Sequence, residues 1–503
     1  MRRRTIAWLI VVLVSLLPLG CGSSSDEDPA AAPPEDPAAS PMAETLDGFI
    51  DAVVEAHGVP GLSVAVVHEG EVVYSATRGV ADTESRAPLQ AGHLLHFASV
   101  SKPFVATAIM QLVEDGKLGL DDTVVSHLPY FKLQDAAAAE ITIRQMLNHT
   151  SGMPDVSDYD WRNPQSGEGE AEKYVRELAD ESLIAPPGEQ ARYSNRAFDT
   201  LGDLIAKVSG QSFEDFMEAR ILEPLGMTHS TFFYPEIPQE RRTTGHGWDY
   251  EPVALGHYPY NRRHAPSSTL NSNPPEIARW IQANLNRGEL DGRRILSEAA
   301  FDELWKPGPA WGRRHVGLSW FIGEVDGQRT VAHSGGDDGF RSYLMLLPES
   351  NSGFAVVSNY SRCPTGLLRD GLTAVLLGQE LPEVKRPILS EFAPLYRDQG
   401  IEQAGAFYRR VIDEQDATYA YSPDPLNDFG YYLMGREEYD RAVEVLALNV
   451  ELYPDVANGY DSLGEAYLEQ GNDELAGVNY ARALEMDPDN DHAREVLKRL
   501  AGG

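Results

Sequence analysis

The strongest constraint on the fold is where the strand-forming residues fall. Gly61 to Val67 and Val72 to Ser75 are apolar and Val-rich, and His68-Glu69-Gly70-Glu71 divides them, which predicts a β-hairpin. The next strand signals come much later, at Leu318 to Ile322, Thr330 to His333, Ser342 to Leu347 and Gly353 to Ser358. Asp326-Gly327 and Glu349-Ser350-Asn351 supply turns between them. The chain between the two clusters reads as helix and loop. Two strand groups flanking a helical insertion predict an α+β architecture, with one antiparallel sheet assembled from both ends of the segment. Ahead of the hairpin, Leu46, Phe49, Ile50, Val53 and Val54 recur at helical spacing, with Gly58 and Pro60 as the stop.

A second unit follows residue 380. Leu381 to Arg397 holds Pro382, Pro387 and Pro394, and positions 381–395 read as a linker. Beyond it, Gly430, Ala442, Leu452 and Pro454 return as Gly464, Ala476, Met486 and Pro488, each pair 34 residues apart. A period of paired amphipathic helices with small residues at their crossing resembles the tetratricopeptide repeat, so 396–503 is expected to be all-helical. Glu402 to Asp416 offers a degenerate first helix and His492 to Leu500 a capping helix. A stack normally needs about three repeats to bury its faces, so the alternative is a tail packed on the preceding domain.

The N-terminus reads as export machinery. Arg2, Arg3 and Arg4 precede an apolar run of 14 residues, Ile6 to Leu19. That is short of the roughly 20 residues that span a bilayer, but it suits a signal sequence. Leu17-Pro18-Leu19-Gly20-Cys21 resembles the lipobox of bacterial lipoproteins, with Pro18 where that family usually has Leu. The expectation is a signal over 1–21, lipidation of Cys21, and a periplasm-facing protein held to the envelope by a lipid anchor alone. Residues 22–41, mostly Ser, Asp, Glu, Pro and Ala, have little to bury and read as a tether. The only other cysteine is Cys363, so no internal disulfide framework is expected. With 42 basic and 77 acidic side chains, net −35, the chain repels phosphate backbones, and nucleic acid is not an expected partner.

Three short motifs carry chemistry. Ser99-Val100-Ser101-Lys102 opens a predicted helix, which puts Ser99 and Lys102 one turn apart on one face. A serine needs a neighbour to take its proton, and a lysine whose charge is disfavoured by burial can do so. Among eight lysines, only Lys102 has Ser three positions earlier. Tyr193-Ser194-Asn195 is the one Tyr-x-Asn in the chain and lies on a loop before a helix. It offers a phenol for proton transfer and an amide for orienting substrate. His333-Ser334-Gly335-Gly336 ends the predicted strand Thr330 to His333, where an edge can pair with an extended substrate. No metal or cofactor is expected: the zinc-hydrolase His-Glu-x-x-His spacing is absent, and His93 and His96 have no evident third ligand.

Together these motifs resemble the signatures of the class C β-lactamase and D-alanyl-D-alanine carboxypeptidase family. Leu147-Asn148-His149-Thr150-Ser151-Gly152-Met153 is similar to a segment common in its broader hydrolase branch. The resemblance covers residues 42–380. It implies Ser99 as nucleophile and Lys102 and Tyr193 as its proton relay. It further implies Asn195, His333, Ser334, Gly335 and Gly336 as substrate-binding residues, with the Ser99 and Gly336 N–H groups as oxyanion hole. The β-lactamases carry Lys where this chain has His333. A largely neutral histidine there favours peptidase- or esterase-like relatives. The expected activity is hydrolysis of an amide or ester in a small molecule or peptide. The competing reading is an inactive hydrolase scaffold that binds a protein partner through its helical repeats.

Overall fold

The computed structural model describes residues 40–502. The segments read as signal sequence and tether, Cys21 included, precede Ser40 and lie outside the described residues. Helix α1 (Pro41–His57) starts where the Ser40 hydroxyl accepts the Ala43 N–H and Pro41 presets the first turn, and it stops at Gly58 in the left-handed region. Strands β1 (Gly61–His68) and β2 (Glu71–Gly79) form the expected hairpin. Helix α2 (Ser101–Glu114) follows the Ser99 turn, and α3 (Asn195–Ser209) follows Tyr193, capped by the Ser194 hydroxyl. Helix α4 (Pro274–Leu285) precedes the second strand group. That group runs β3 (Ala310–Trp311), β4 (Arg314–Val316), β5 (Phe321–Val325), β6 (Gln328–Asp337), β7 (Phe340–Leu347) and β8 (Ser352–Ser358), and α5 (Thr365–Leu376) closes the domain.

All eight strands form one antiparallel sheet in the order β2-β1-β8-β7-β6-β5-β4-β3. The first and last segments of the domain therefore meet at its centre, with Val64 opposite Val356. Both sheet faces are covered. Ala65 and Val67 of β1 join the core under α2, α3 and α4, while Leu62, Val64 and Val66 join a second core under α1 and α5. Burial on both faces explains why β1 reads as a continuous apolar run instead of an alternating one.

Two expectations need correction. Leu318 to Trp320 precede strand β5, which starts at Phe321. His333-Ser334-Gly335-Gly336 does not end its strand; β6 runs through it to Asp337, and the whole motif stays paired with β7.

The C-terminal part is helical: α6 (Leu389–Gln399), α7 (Ile401–Asp413), α8 (Pro423–Met434), α9 (Tyr439–Leu452), α10 (Ala457–Gln470), α11 (Asp473–Met486) and α12 (Asp491–Gly502). Helix α6 begins inside the segment read as a linker, because Ile388, Phe392 and Ala393 are core residues there. The 34-residue period reappears as geometry: Gly430 lies against Leu446 and Gly464 against Tyr480. This tail packs on the hydrolase-like domain. Trp248 and Tyr250, from a hairpin of that domain, enter the core of α6 to α10, and Trp248 meets Tyr432 edge-on at 4.8 Å. Tyr432 donates to Asp249 at 2.6 Å, and Arg397 pairs with Glu251 at 2.9 Å.

The helix that carries Lys102 is fixed by a stacked aromatic pair, Phe104 of α2 against Trp280 of α4, with ring centres 3.7 Å apart. Both rings are fully buried. Trp280→Ala is expected to cost about 3–5 kcal/mol of stability, read as a lower denaturation midpoint in urea.

Candidate active site

The chain turns sharply just before α2. Ala98 sits at φ +49°, a left-handed conformation that a side-chain-bearing residue adopts at a cost. The turn is held from several sides. Phe97 N–H donates to the Leu270 carbonyl at 2.8 Å, Ser101 donates its hydroxyl to the Ala98 carbonyl at 2.7 Å, and Ser342 of β7 donates to the Phe97 carbonyl at 2.6 Å. Gly335 lies so close to this turn that a Cβ there would sit 2.3 Å from the Phe97 carbonyl oxygen. The close approach sets Ser99 beside strand β6 and explains the glycine.

Lys102 Nζ lies 3.0 Å from Ser99 Oγ and donates to the Ser267 carbonyl at 2.6 Å. The lysine is fully buried. No described carboxylate is within ion-pair distance of it. Asp199 takes a hydrogen bond from His264, Asp337 from His96 and Ser268, and Asp155 from Asn195. Burial therefore outweighs the distant attraction of these three carboxylates and pulls the amine down to about 7. Its ordinary value is 10.5.

The Lys102 amine also faces the Tyr193 ring, 5.0 Å from its centre. Desolvation is the largest influence on the Tyr193 phenol and raises it above its ordinary value, outweighing the neighbouring Ser99 hydroxyl, which acts the other way. The site at neutral pH thus pairs a partly neutral amine with a neutral phenol. Tyr193 is seated by His149, whose ring stacks on it at 4.3 Å. His149 has φ +59° and accepts the Ser194 N–H on Nδ1 at 3.3 Å and the Arg192 N–H on its carbonyl at 2.7 Å. Burial keeps its imidazole neutral. The Leu-x-His-Thr-Ser-Gly segment thus shapes the loop that presents the phenol.

Asn195 follows on the first turn of α3. Its Nδ2 and backbone N–H both donate to Asp155 Oδ1 at 2.8 Å, leaving its buried Oδ1 without a protein partner. His333 donates from Nδ1 to the Ser334 carbonyl at 2.7 Å, so the buried Nε2 carries a lone pair and has no protein partner. Burial and then the nearby Lys102 push this imidazole down to about 3. His333 is therefore a neutral acceptor throughout the physiological range, the opposite of a cation.

Ser99, Tyr193, Asn195, His333, Ser334, Gly335 and Gly336 line one cleft of about 350 Å³, with Lys102 buried in its floor. Every site residue expected from the three motifs is brought together here. The sequence reading missed Asp155, Tyr159, Trp311, Arg314 and Phe321; all but Asp155 line the same cleft. None lies in a motif, although the Trp311-Gly312 pair in a polar stretch is a signal of a presented aromatic. A larger cavity, about 910 Å³, lies elsewhere, beside Glu214, Glu218 and His229, and holds none of the motif residues. Among the described residues no His, Cys, Asp and Glu cluster is arranged to hold a metal ion. His96 is committed to Asp337 at 2.7 Å, and His93 accepts the Gln90 N–H at 2.9 Å.

Comparison with known proteins agrees with this geometry. The family model described as Beta-lactamase matches residues 46–375. Protein flp of Staphylococcus aureus strain COL is 27% identical over 318 residues, covering 63% of each chain. The chain thus spans less than two thirds of the length of that relative. Penicillin-binding protein 4 of Amycolatopsis lactamdurans is 28% identical over 359 residues, 67% of this chain and 91% of that one. Among solved structures, the octameric penicillin-binding protein homologue from Pyrococcus abyssi aligns with a TM-score of 0.61 at 28% identity, covering 68% of this chain and 78% of that chain. With its hydroxyl, amine and phenol gathered beside strand β6 of a sheet covered on both faces, the chain belongs to the beta-lactamase family.

Proposed function

We propose that this protein hydrolyses an amide or ester through an acyl-enzyme on Ser99. The observation that carries the reading is the 3.0 Å approach of the Lys102 amine to the Ser99 hydroxyl, in a place where burial brings that amine to about 7. Neutral Lys102 takes the hydroxyl proton as Ser99 Oγ attacks the substrate carbonyl. The N–H groups of Ser99 and Gly336 receive the oxyanion, each donor worth about 2.7–4 kcal/mol. Tyr193 passes its proton to the departing amine or alcohol and is reprotonated through Lys102. In the second half, neutral Lys102 takes a proton from the water that attacks the acyl carbonyl, and as the ester bond to Ser99 breaks, Ser99 Oγ takes that proton back from Lys102, by way of Tyr193, which restores the neutral amine and phenol. A binding scaffold has no use for an amine buried without a counter-ion, which argues against an inactive relative.

Within this reaction we favour a peptidase- or esterase-like substrate over a β-lactam. The β-lactamase lysine is replaced by His333, which is neutral and offers a lone pair. We also propose export, lipidation at Cys21 and attachment to the envelope by that lipid alone, with 22–41 as tether, 42–380 as hydrolase and 396–503 as tetratricopeptide-like repeats that can hold a protein partner.

Three measurements test the mechanism. A fluorophosphonate or penicillin probe is expected to label Ser99, and Ser99→Ala is expected to abolish labelling and cut turnover of D-amino peptides or short-chain esters by about 10⁴-fold or more. Absence of labelling by any acylating probe overturns the reading. Because the amine acts unprotonated, kcat/KM should climb about tenfold per pH unit on the acid side and level off above about 7. Stability should respond to the same group. The folded state holds Lys102 near 7 against 10.5 when unfolded, so the unfolded chain binds the extra proton between those values. Lys102→Met, similar in volume, should therefore be inactive yet melt higher than the wild type at pH 7. The gain should shrink as pH rises towards 10.5.

A further inference from the structure

The Leu-x-His-Thr-Ser-Gly turn has a second consequence, on the far side of Tyr193. Gly152 accepts the Ile184 N–H at 2.9 Å, and Gly152 (φ +73°) lies so near that a Cβ would be 2.0 Å from the Ala185 carbonyl oxygen. Pro186 and Pro187 follow at once, so Ile184 is presented by rigid backbone. Its side chain is nonetheless 57% exposed. Among the described residues, it is the one large apolar side chain of the hydrolase domain left so open to water; the other four are at Leu381 and in the tail. Ile184 lines a hollow of about 480 Å³ with Ala191, Ala310, Trp311 and Tyr193 on one side and Asp155 and Arg192 on the other. Tyr193 and Trp311 also line the Ser99 cleft, so the two spaces are neighbours across a shared wall.

We propose that this hollow is a substrate subsite for a hydrophobic chain, seated on Ile184 and Trp311 while the reacting carbonyl lies at Ser99. The proposal rests on the hydrolase reading above and extends it to substrate class. The preferred substrate carries an apolar chain several carbons long. That chain belongs either to the acyl group or to the departing alcohol or amine. Three observations point to it: walls shared with the cleft, an aliphatic and aromatic side formed by Ile184, Ala191, Ala310 and Trp311, and a rigidly held aliphatic side chain with no partner from the fold.

Two ester series separate the sources of the chain: p-nitrophenyl acetate to hexanoate, and ethyl to hexyl acetate. In one of them kcat/KM should rise about threefold per methylene. Ile184→Asp should flatten that slope, and Val478→Ser, which removes a similarly exposed side chain from the tail, should preserve it. Flat series with Ser99-dependent turnover would overturn the subsite and leave the hydrolase reading standing, as would a slope indifferent to Ile184→Asp. Flat series together with a dimer dissolved by Ile184→Asp in sedimentation would assign the face to contact between copies instead. Binding needs no turnover. By calorimetry, Ser99→Ala protein should hold hexyl acetate at least about tenfold more tightly than ethyl acetate, and Ile184→Asp should erase the difference. If that difference appears without turnover of any ester, the subsite survives and the hydrolase reading fails.

Discussion

The site around Ser99, and the reaction proposed for it, depend on one unfavourable act, the burial of an amine without a counter-ion. Lys102 is sealed from water, and the three nearest acidic side chains are engaged by histidine, serine or asparagine donors. A direct carboxylate partner would hold the amine charged and useless as a base. The surrounding network therefore matters for what it withholds as much as for what it supplies. Desolvation acts on Tyr193 in the other direction, keeping its proton on. Amine and phenol are thus set apart chiefly by burial.

Keeping that arrangement requires rigid surroundings, and the sheet provides them. The turn at Ala98 is strained, and strain persists only where neighbours over-determine it. Here they do: Ser342 of β7, Gly335 of β6 and Leu270 all touch Phe97 or its carbonyl. The strands on one side of Ser99 and the stacked Phe104–Trp280 pair of the helix that follows it hold the Ser99 turn in place. Preorganisation of this kind is where electrostatic stabilisation of an oxyanion gains its strength, since no dipole has to reorient during reaction.

The sequence displays the reactive triad because its members obey short rules. A helix turn relates Ser99 to Lys102, and Tyr193 stands just ahead of a capped helix, so local spacing reports both. The architecture was legible for a similar reason, since Val-rich runs and turn residues mark strands wherever they occur. What escaped is set by tertiary contact. Trp311, Arg314 and Phe321 reach the cleft because the outermost strands fold over it, and no local periodicity encodes that. Asp155 is tied to the site by Asn195, its partner across a loop. The stretch before Arg397 misled because its prolines suggested a linker, while Pro387 lies in a short strand just ahead of α6 and burial of Phe392 holds Pro394 within the helix.

The helical tail is part of the same mechanical argument. His246, next to the hairpin tip that bears Trp248, donates its N–H to the Asn359 carbonyl at 2.9 Å, and its Nε2 accepts the Thr83 N–H at 3.2 Å. Gly245 lies directly against Gly339, in the turn joining β6 to β7. The hairpin therefore touches the end of the strand that carries His333 to Gly336, while its other face is clamped by Tyr432, Phe429 and Arg362. A repeat stack this short cannot bury its first face by repetition alone. It does so on the preceding domain, and strand β6 gains a brace at its turn into β7.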